Sequence, residues 1–325
     1  MNVSQQGADQ TPVRLYGPVP SRRLGRSLGV DLVPYKVCSY DCIYCQLGHT
    51  SELTAERREY VDTAAVLAQL RQRLEQGLCC DYISLAGSGE PTLNSGLGWL
   101  LRQIKALTRL PLAVITNGSL LWRADVREEL LVADLVLPSL DAGDATLFEQ
   151  VNRPCGAIDF ERMAEGLIAF RRQYRGTLWL EVLLLDGLSD TPERVAPIAA
   201  WVERIRPDRV QLNSAVRPTA DAAARPLSPA QLQALAPLFS APVDILTAPA
   251  AAPVSSPDSS AASAASLSVL ALLQRRPCTC ADIARGLGLA PQQVIKLLDP
   301  LLATGVLHSC QRAGQTFYQA SAAGR

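Results

Sequence analysis

The stretch Leu28-Gly29-Val30-Asp31-Leu32-Val33, followed four residues later by Cys38-Ser39-Tyr40-Asp41-Cys42-Ile43-Tyr44-Cys45, decides how this chain folds. An aliphatic, β-branched run reads as a strand, and the loop after it carries three cysteines at C-x3-C-x2-C spacing. Three thiolates on one short loop suit a single compact metal centre. A structural zinc site normally closes with four ligands, and His49 is the only nearby histidine. A four-iron cluster held by three thiolates keeps one iron open, as a cluster that binds and activates something needs. Zinc and a buried apolar role are the competing readings.

Strand candidates recur downstream at Tyr82–Leu85, Leu112–Thr116, Leu135–Pro138, Leu178–Leu184, Arg209–Leu212 and Val243–Leu246. Amphipathic stretches lie between them. In Thr63–Glu75, Ala64, Leu67, Leu70 and Leu74 fall on one helical face; Gly96–Leu107 and Pro192–Ile205 read the same way. Strand–helix alternation over more than 200 residues predicts parallel strands with helical crossovers, as a barrel or an open sheet.

The 325 residues are 48% hydrophobic and 19% charged, which supplies a large core and excludes global disorder. Lysine plus arginine (31) balance aspartate plus glutamate (31), so any charged patch is local. Apolar runs fall short of a membrane span, and the polar start Met1–Asp9 does not read as a signal peptide. A cytoplasmic protein without a membrane partner is expected, its nine cysteines serving metal or redox chemistry rather than disulfides. Ala248–Ser266 contains only alanine, proline and serine apart from Val254 and Asp258, and reads as a linker between units at 1–247 and 267–325. Its lack of large apolar side chains predicts a first unit that folds without the second. The second unit offers helices at Leu267–Gln274, Thr279–Leu287 and Pro291–Ala303, then short strands near Gly305–Ser309 and Gln315–Gln319. This order resembles a winged helix-turn-helix domain.

With the further segments in place, the chain is identified as resembling the radical S-adenosylmethionine (SAM) superfamily. Cys38, Cys42, Tyr44 and Cys45 resemble its cluster loop. Gly87-Ser88-Gly89-Glu90-Pro91 follows the second strand, like the segment that holds the methionine amino group. Thr116-Asn117-Gly118 and Ser139-Leu140-Asp141 end the next two strands and resemble positions that contact the ribose and carboxylate. The match covers about residues 27–212. It implies a partial (β/α)6 TIM-type barrel, a [4Fe–4S] cluster on the three cysteines, and SAM held by Tyr44, Gly87, Ser88, Gly89, Glu90, Thr116, Asn117, Ser139 and Asp141. It also implies a 5′-deoxyadenosyl radical and a one-electron reductase such as a flavodoxin or ferredoxin.

A narrower resemblance rests on Gly17–Gly29, Asp41–Gln46, Asn152-Arg153-Pro154 and Gln211-Leu212-Asn213. These look like bacterial relatives of the tRNA wyosine-synthesis enzymes, which makes RNA modification one candidate chemistry. The archaeal and eukaryotic wyosine enzymes hold a second cluster on N-terminal cysteines, and no cysteine precedes Cys38 here.

Blander readings stand beside these. Glu90 either holds an ammonium or caps the helix after it. Arg14, Arg22, Arg23, Arg26 and Lys36 form either a solvated surface or a docking face for an electron donor or a substrate phosphate. Arg153, Asn213 and Arg217 are candidate substrate contacts. Cys79, Cys80 and Cys155 read as structural, and Cys278, Cys280 and Cys310 are a weak metal signal. The competing function is an iron–sulfur sensing transcriptional regulator, with the winged helix bound to DNA. Six basic against two acidic residues favour a nucleic-acid or protein partner for the second unit, but Pro291–Ala303 offers only Lys296 as a cation.

Overall fold

The computed structural model describes residues 14–246 and 269–321, apart from Arg22 and Ala313. The proposed linker and Arg22 therefore lie outside the described residues. The first unit runs β1 (Leu15–Ser21), β2 (Gly25–Val30), β3 (Val37–Cys38), β4 (Glu52–Leu53), α1 (Thr63–Glu75), β5 (Tyr82–Leu85), α2 (Leu97–Leu107), β6 (Leu112–Thr116) and α3 (Ala124–Leu130). It continues with β7 (Leu135–Pro138), α4 (Ala145–Val151), α5 (Phe160–Gln173), β8 (Thr177–Leu183), α6 (Pro192–Ile205), β9 (Arg209–Asn213), α7 (Pro229–Leu235) and β10 (Val243–Ile245).

One sheet has the order β1-β2-β5-β6-β7-β8-β9-β10. From β2 to β10 every pairing is parallel, while β1 lies antiparallel on β2. Among the described residues, seven parallel strands and an antiparallel edge strand make a mixed sheet that resembles a partial (β/α) barrel, with more strands than the six expected. The added strand β1 contains Gly17, Pro18 and Pro20, which hide it in sequence. Proline suits an edge strand because its missing N–H faces no partner. The Tyr16 ring packs over Gly29, where an added Cβ would meet it at 2.0 Å. The strand expected at Leu28–Val33 sits at Gly25–Val30, because the chain leaves the sheet at Asp31 to carry buried Leu32 and Val33 into the cysteine loop.

Strand alternation sorts the two faces. Leu112, Val114 and Val136 join the large core beneath the helices. Ala113, Leu135 and Leu137 form a separate cluster on the other face with Leu24, Tyr82, Ile115 and Trp179. That inner face also presents Ser27, Ser84 and Glu181, which line a cavity.

The second unit is built from α8 (269–273), β11 (Cys278–Thr279), α9 (Cys280–Leu287), α10 (Pro291–Ala303), β12 (Leu307–Arg312) and β13 (Gln315–Ala320). Its sheet is β11-β13-β12, antiparallel throughout. Thr279 caps α9 in a capping box with Asp282. The unit does not stand apart, as the linker's composition led one to expect. Val19 of β1 belongs to the second unit's own core, with Val269, Leu272 and Ile283. Arg275 lies 4.5 Å over the Tyr16 ring, and Arg312 donates to Thr219 Oγ1 and the Ala224 carbonyl, both at 2.8 Å. No helix among the described residues is long and apolar enough to cross a membrane.

Candidate active site

The cysteine loop leaves β3 beside the carboxyl ends of the parallel strands. Each sulfur faces one nitrogen donor. Lys36 Nζ lies 3.1 Å from Cys45 Sγ, Asn117 Nδ2 lies 3.6 Å from Cys38 Sγ, and Asn152 Nδ2 lies 3.5 Å from Cys42 Sγ. Burial pushes the Cys38 thiol up to about 12 and the Cys42 thiol well above its ordinary value. These groups therefore ionise only opposite a strong positive centre. Among the described residues no set of three or more His, Cys, Asp or Glu side chains is grouped to hold a single metal ion. The donor set suits a cluster, in which each thiolate takes its own iron and an N–H or ammonium faces each sulfur.

A cavity of about 360 Å³ adjoins the loop, walled by Tyr44, Cys45, Gly87, Ser139 and Asp141 among others. Asp141 accepts from the Tyr44 hydroxyl, from Asn152 Nδ2 at 2.9 Å and from the Leu183 amide at 3.0 Å. Burial outweighs these bonds and pushes its carboxyl up to about 6. Asn152 Oδ1 is buried with no hydrogen-bond partner among the described residues. The Asp141 carboxyl and the Ser139 hydroxyl on the cavity wall suit a ligand that carries hydroxyl groups.

The other proposed SAM residues stand behind this wall. Ser88 donates through its amide and hydroxyl to buried Asp31. An added Cβ on Gly89 would lie 1.9 Å from the Val37 carbonyl oxygen, so only glycine lets this loop touch the cysteine strand. Glu90 is 2% exposed and does not line the cavity. Its Oε1 accepts from the Thr92 amide, the Thr92 hydroxyl and the Thr116 hydroxyl; its Oε2 accepts from the Asn117 amide at 2.7 Å. Burial pushes its carboxyl up despite these bonds. Glu90 caps the 3-10 turn Pro91–Leu93 and also ties that turn to the end of β6.

Of the proposed substrate contacts, Asn213 and Arg217 line the cavity. Arg153 does not; it pairs with Asp221 at 2.9 Å on a 41% exposed side chain. The basic cluster is dispersed rather than gathered into one face. Lys36 is buried under Cys45, Arg23 pairs with Glu181 inside the cavity, and Arg26 lies against Cys79. Cys80 and Cys155 are buried, and Cys278 lies in the second unit's core. Sequence reasoning gave Lys36 no role at the sulfurs, passed over Glu181, and cited Asn152 only as part of a resemblance. Lys36 had one available signal, its position two residues before Cys38.

The profile of the radical SAM superfamily matches residues 32–196, and that of the O-methyltransferase dimerisation domain matches residues 259–325. A protein named GTPase Obg from Brachyspira hyodysenteriae is 45% identical over 220 residues, 68% of this chain and 32% of that one. A UPF0026 protein of Methanocaldococcus jannaschii is 37% identical over 65% of this chain and 66% of its own length. Another, from Synechocystis, is 38% identical over 63% of this chain and 76% of its own. The chain thus spans about a third of the first relative and just under two thirds of the second. Two solved structures share the fold at a TM-score of 0.51. Streptococcus suis SuiB is 16% identical over 67% of this chain and 49% of its own. A radical SAM methyltransferase from Sphaerobacter thermophilus is 18% identical over 67% and 65%.

Proposed function

The chain belongs to the radical SAM superfamily, and from that premise we propose that it is an enzyme that cleaves SAM reductively and directs the 5′-deoxyadenosyl radical at a substrate in the adjoining cavity. The observation that carries this reading is the meeting of three donor-faced cysteine sulfurs with a cavity walled by Gly87, Ser139 and Asp141. Cys38, Cys42 and Cys45 would hold a [4Fe–4S] cluster, which would supply the electron and a site for SAM.

The chain's own residues bind and orient. Lys36, Asn117 and Asn152 offset the negative charge of the thiolates. Tyr44, Gly87, Ser139 and Asp141 border the cavity and are assigned direct contact with SAM. Ser88, Gly89, Glu90, Thr116 and Asn117 hold that wall in place from behind. Leu24, Leu47, Ile115 and Leu183 line the cavity with apolar surface that keeps water from the reacting atoms. A one-electron reductase of flavodoxin or ferredoxin type serves the cluster. The second unit is a winged helix, a reading supported by its order of helices, short strand and terminal hairpin. Similarity to UPF0026 proteins agrees with the narrower sequence resemblance.

Anaerobic reconstitution with iron and sulfide, followed by reduction in the presence of SAM, tests the proposal. The expected products are methionine and 5′-deoxyadenosine, with four irons per chain lost in the triple cysteine-to-alanine variant. Full iron retention in that variant, or absence of 5′-deoxyadenosine from the loaded protein, overturns it.

A further inference from the structure

The loop that brings Ala86 and Gly87 to the cavity wall is held from behind by two first-unit side chains. Tyr16 donates its hydroxyl to the Ala86 carbonyl at 3.0 Å. Asp31 accepts from the Ser88 amide at 3.1 Å through one carboxylate oxygen and from the Ser88 hydroxyl through the other. An added Cβ on Gly87 would lie 2.4 Å from Asp31 Cγ, so the loop rests directly on this carboxyl. One residue of the second unit meets both supports. The Arg275 guanidinium, in the turn after α8, lies 4.5 Å from the centroid of the Tyr16 ring, and its Nε stands 3.9 Å from Asp31 Oδ2. Its Nη1 turns back to the Ala271 carbonyl at 3.0 Å. The Arg275 side chain is 14% exposed and that of Asp31 4%, so solvent screens this pair far less than a surface one. Burial pushes the Asp31 carboxyl up, while the Ser88 bonds, Arg275 and then Arg14 oppose that shift.

We propose that Arg275 is a positioning residue for the loop at 86–88, so that the second unit sets the affinity of the active site for SAM. The proposal rests on the assignment of Gly87 to SAM contact. Arg275 reaches the loop by two routes: over the ring whose hydroxyl holds Ala86, and beside the carboxylate that holds Ser88. Both routes end on the same three consecutive residues. Withdrawal of the guanidinium leaves Asp31 buried without its second-unit cation. A carboxyl driven toward its neutral form is a weaker acceptor for the Ser88 amide, and the loop then loosens under Gly87. Arg312 joins the two units elsewhere, at Thr219 and Ala224, and touches neither support.

The test uses the reconstituted full-length protein and two readouts. SAM affinity is titrated through the cluster spectrum, and amide hydrogen exchange at Ser88 is followed in the SAM-free protein. Arg275→Gln is expected to raise the SAM dissociation constant roughly fivefold or more and to speed exchange at Ser88. Arg275→Lys keeps a cation beside both supports and is expected to recover part of each loss. Arg312→Gln, which unties the units away from the loop, should match the parent in both readouts. Arg275→Met keeps an unbranched stem against Tyr16, buries no unpaired amide, and replaces the glutamine variant if that one does not fold. SAM affinity equal to the parent's overturns the proposal, as does an equal loss in Arg312→Gln. Weaker SAM binding with unchanged exchange at Ser88 also overturns it, because Arg275 would then act on SAM directly. A parent that binds no SAM sinks the radical SAM reading instead, while the exchange comparison still reads the clamp, so the two failures are distinguishable.

Discussion

Glu90 spends both carboxylate oxygens on four donors from Thr92, Thr116 and Asn117, which makes it a tie between the 3-10 turn and the end of β6 before it is anything else. A glutamine there presents an amide nitrogen to the Asn117 N–H or to the Thr92 and Thr116 donors, so at least one buried donor loses its acceptor. Glu90→Gln is therefore expected to lower the stability of the cluster-free protein by about 1–3 kcal/mol, read by chemical denaturation. SAM affinity falls with it, because Asn117, which also faces Cys38 Sγ, is released. A residue that only held the ammonium of SAM would lose affinity with no change in stability. The sequence segment Gly87–Glu90 drew attention to the right place, but not to this division of labour: only the folded chain shows that Gly87 meets the cavity while Glu90 is sealed behind it.

At the scale of elements, the β5–α2 loop and the cysteine strand β3 are locked together. The Lys36 amide donates to the Ser88 carbonyl at 2.7 Å, and the Glu90 amide donates to the Val37 carbonyl at 3.2 Å. Gly89 sits at the closest approach, and the group its Cβ would strike is a backbone carbonyl that has no rotamer to yield. Gly89→Ala is expected to cost about 1–3 kcal/mol through forced separation of the two segments. It should also reduce iron bound per chain after reconstitution, since Cys38 ends β3. A melting temperature and iron content equal to the parent's would show that the loop opens freely. Sheet alternation does the rest at this scale, turning Ser27, Ser84 and Glu181 toward the cavity while Leu28 and Leu85 face the helices.

For the whole molecule, the decisive contact is between β1 and the second unit. Val19 is 9% exposed and belongs to a cluster otherwise made of second-unit residues. With such an interface the parent should unfold in a single calorimetric transition. Val19→Asp places an unpaired carboxylate in that cluster, which costs several kcal/mol, and is expected to split the trace into two transitions. Two transitions already present in the parent would instead favour the independence that the linker composition implies.

The sequence by itself determined the cysteine loop, the parallel α/β alternation and the strand-end segments, because each is written in local spacing or periodicity. Seven strand candidates stand near the seven parallel strands of the main sheet among the described residues. Only the tertiary structure decided the antiparallel edge strand, the placing of Lys36 and Asn152 against sulfur, the dispersal of the basic cluster, and the second unit's arginines in the cavity. Those features join residues far apart in the chain: Asn152 and Cys42 are separated by 110 positions, and Gln319 reaches the Gln46 carbonyl across 273. Contacts at such separations have no period to read, and they exist only once the core has brought both partners to the same place.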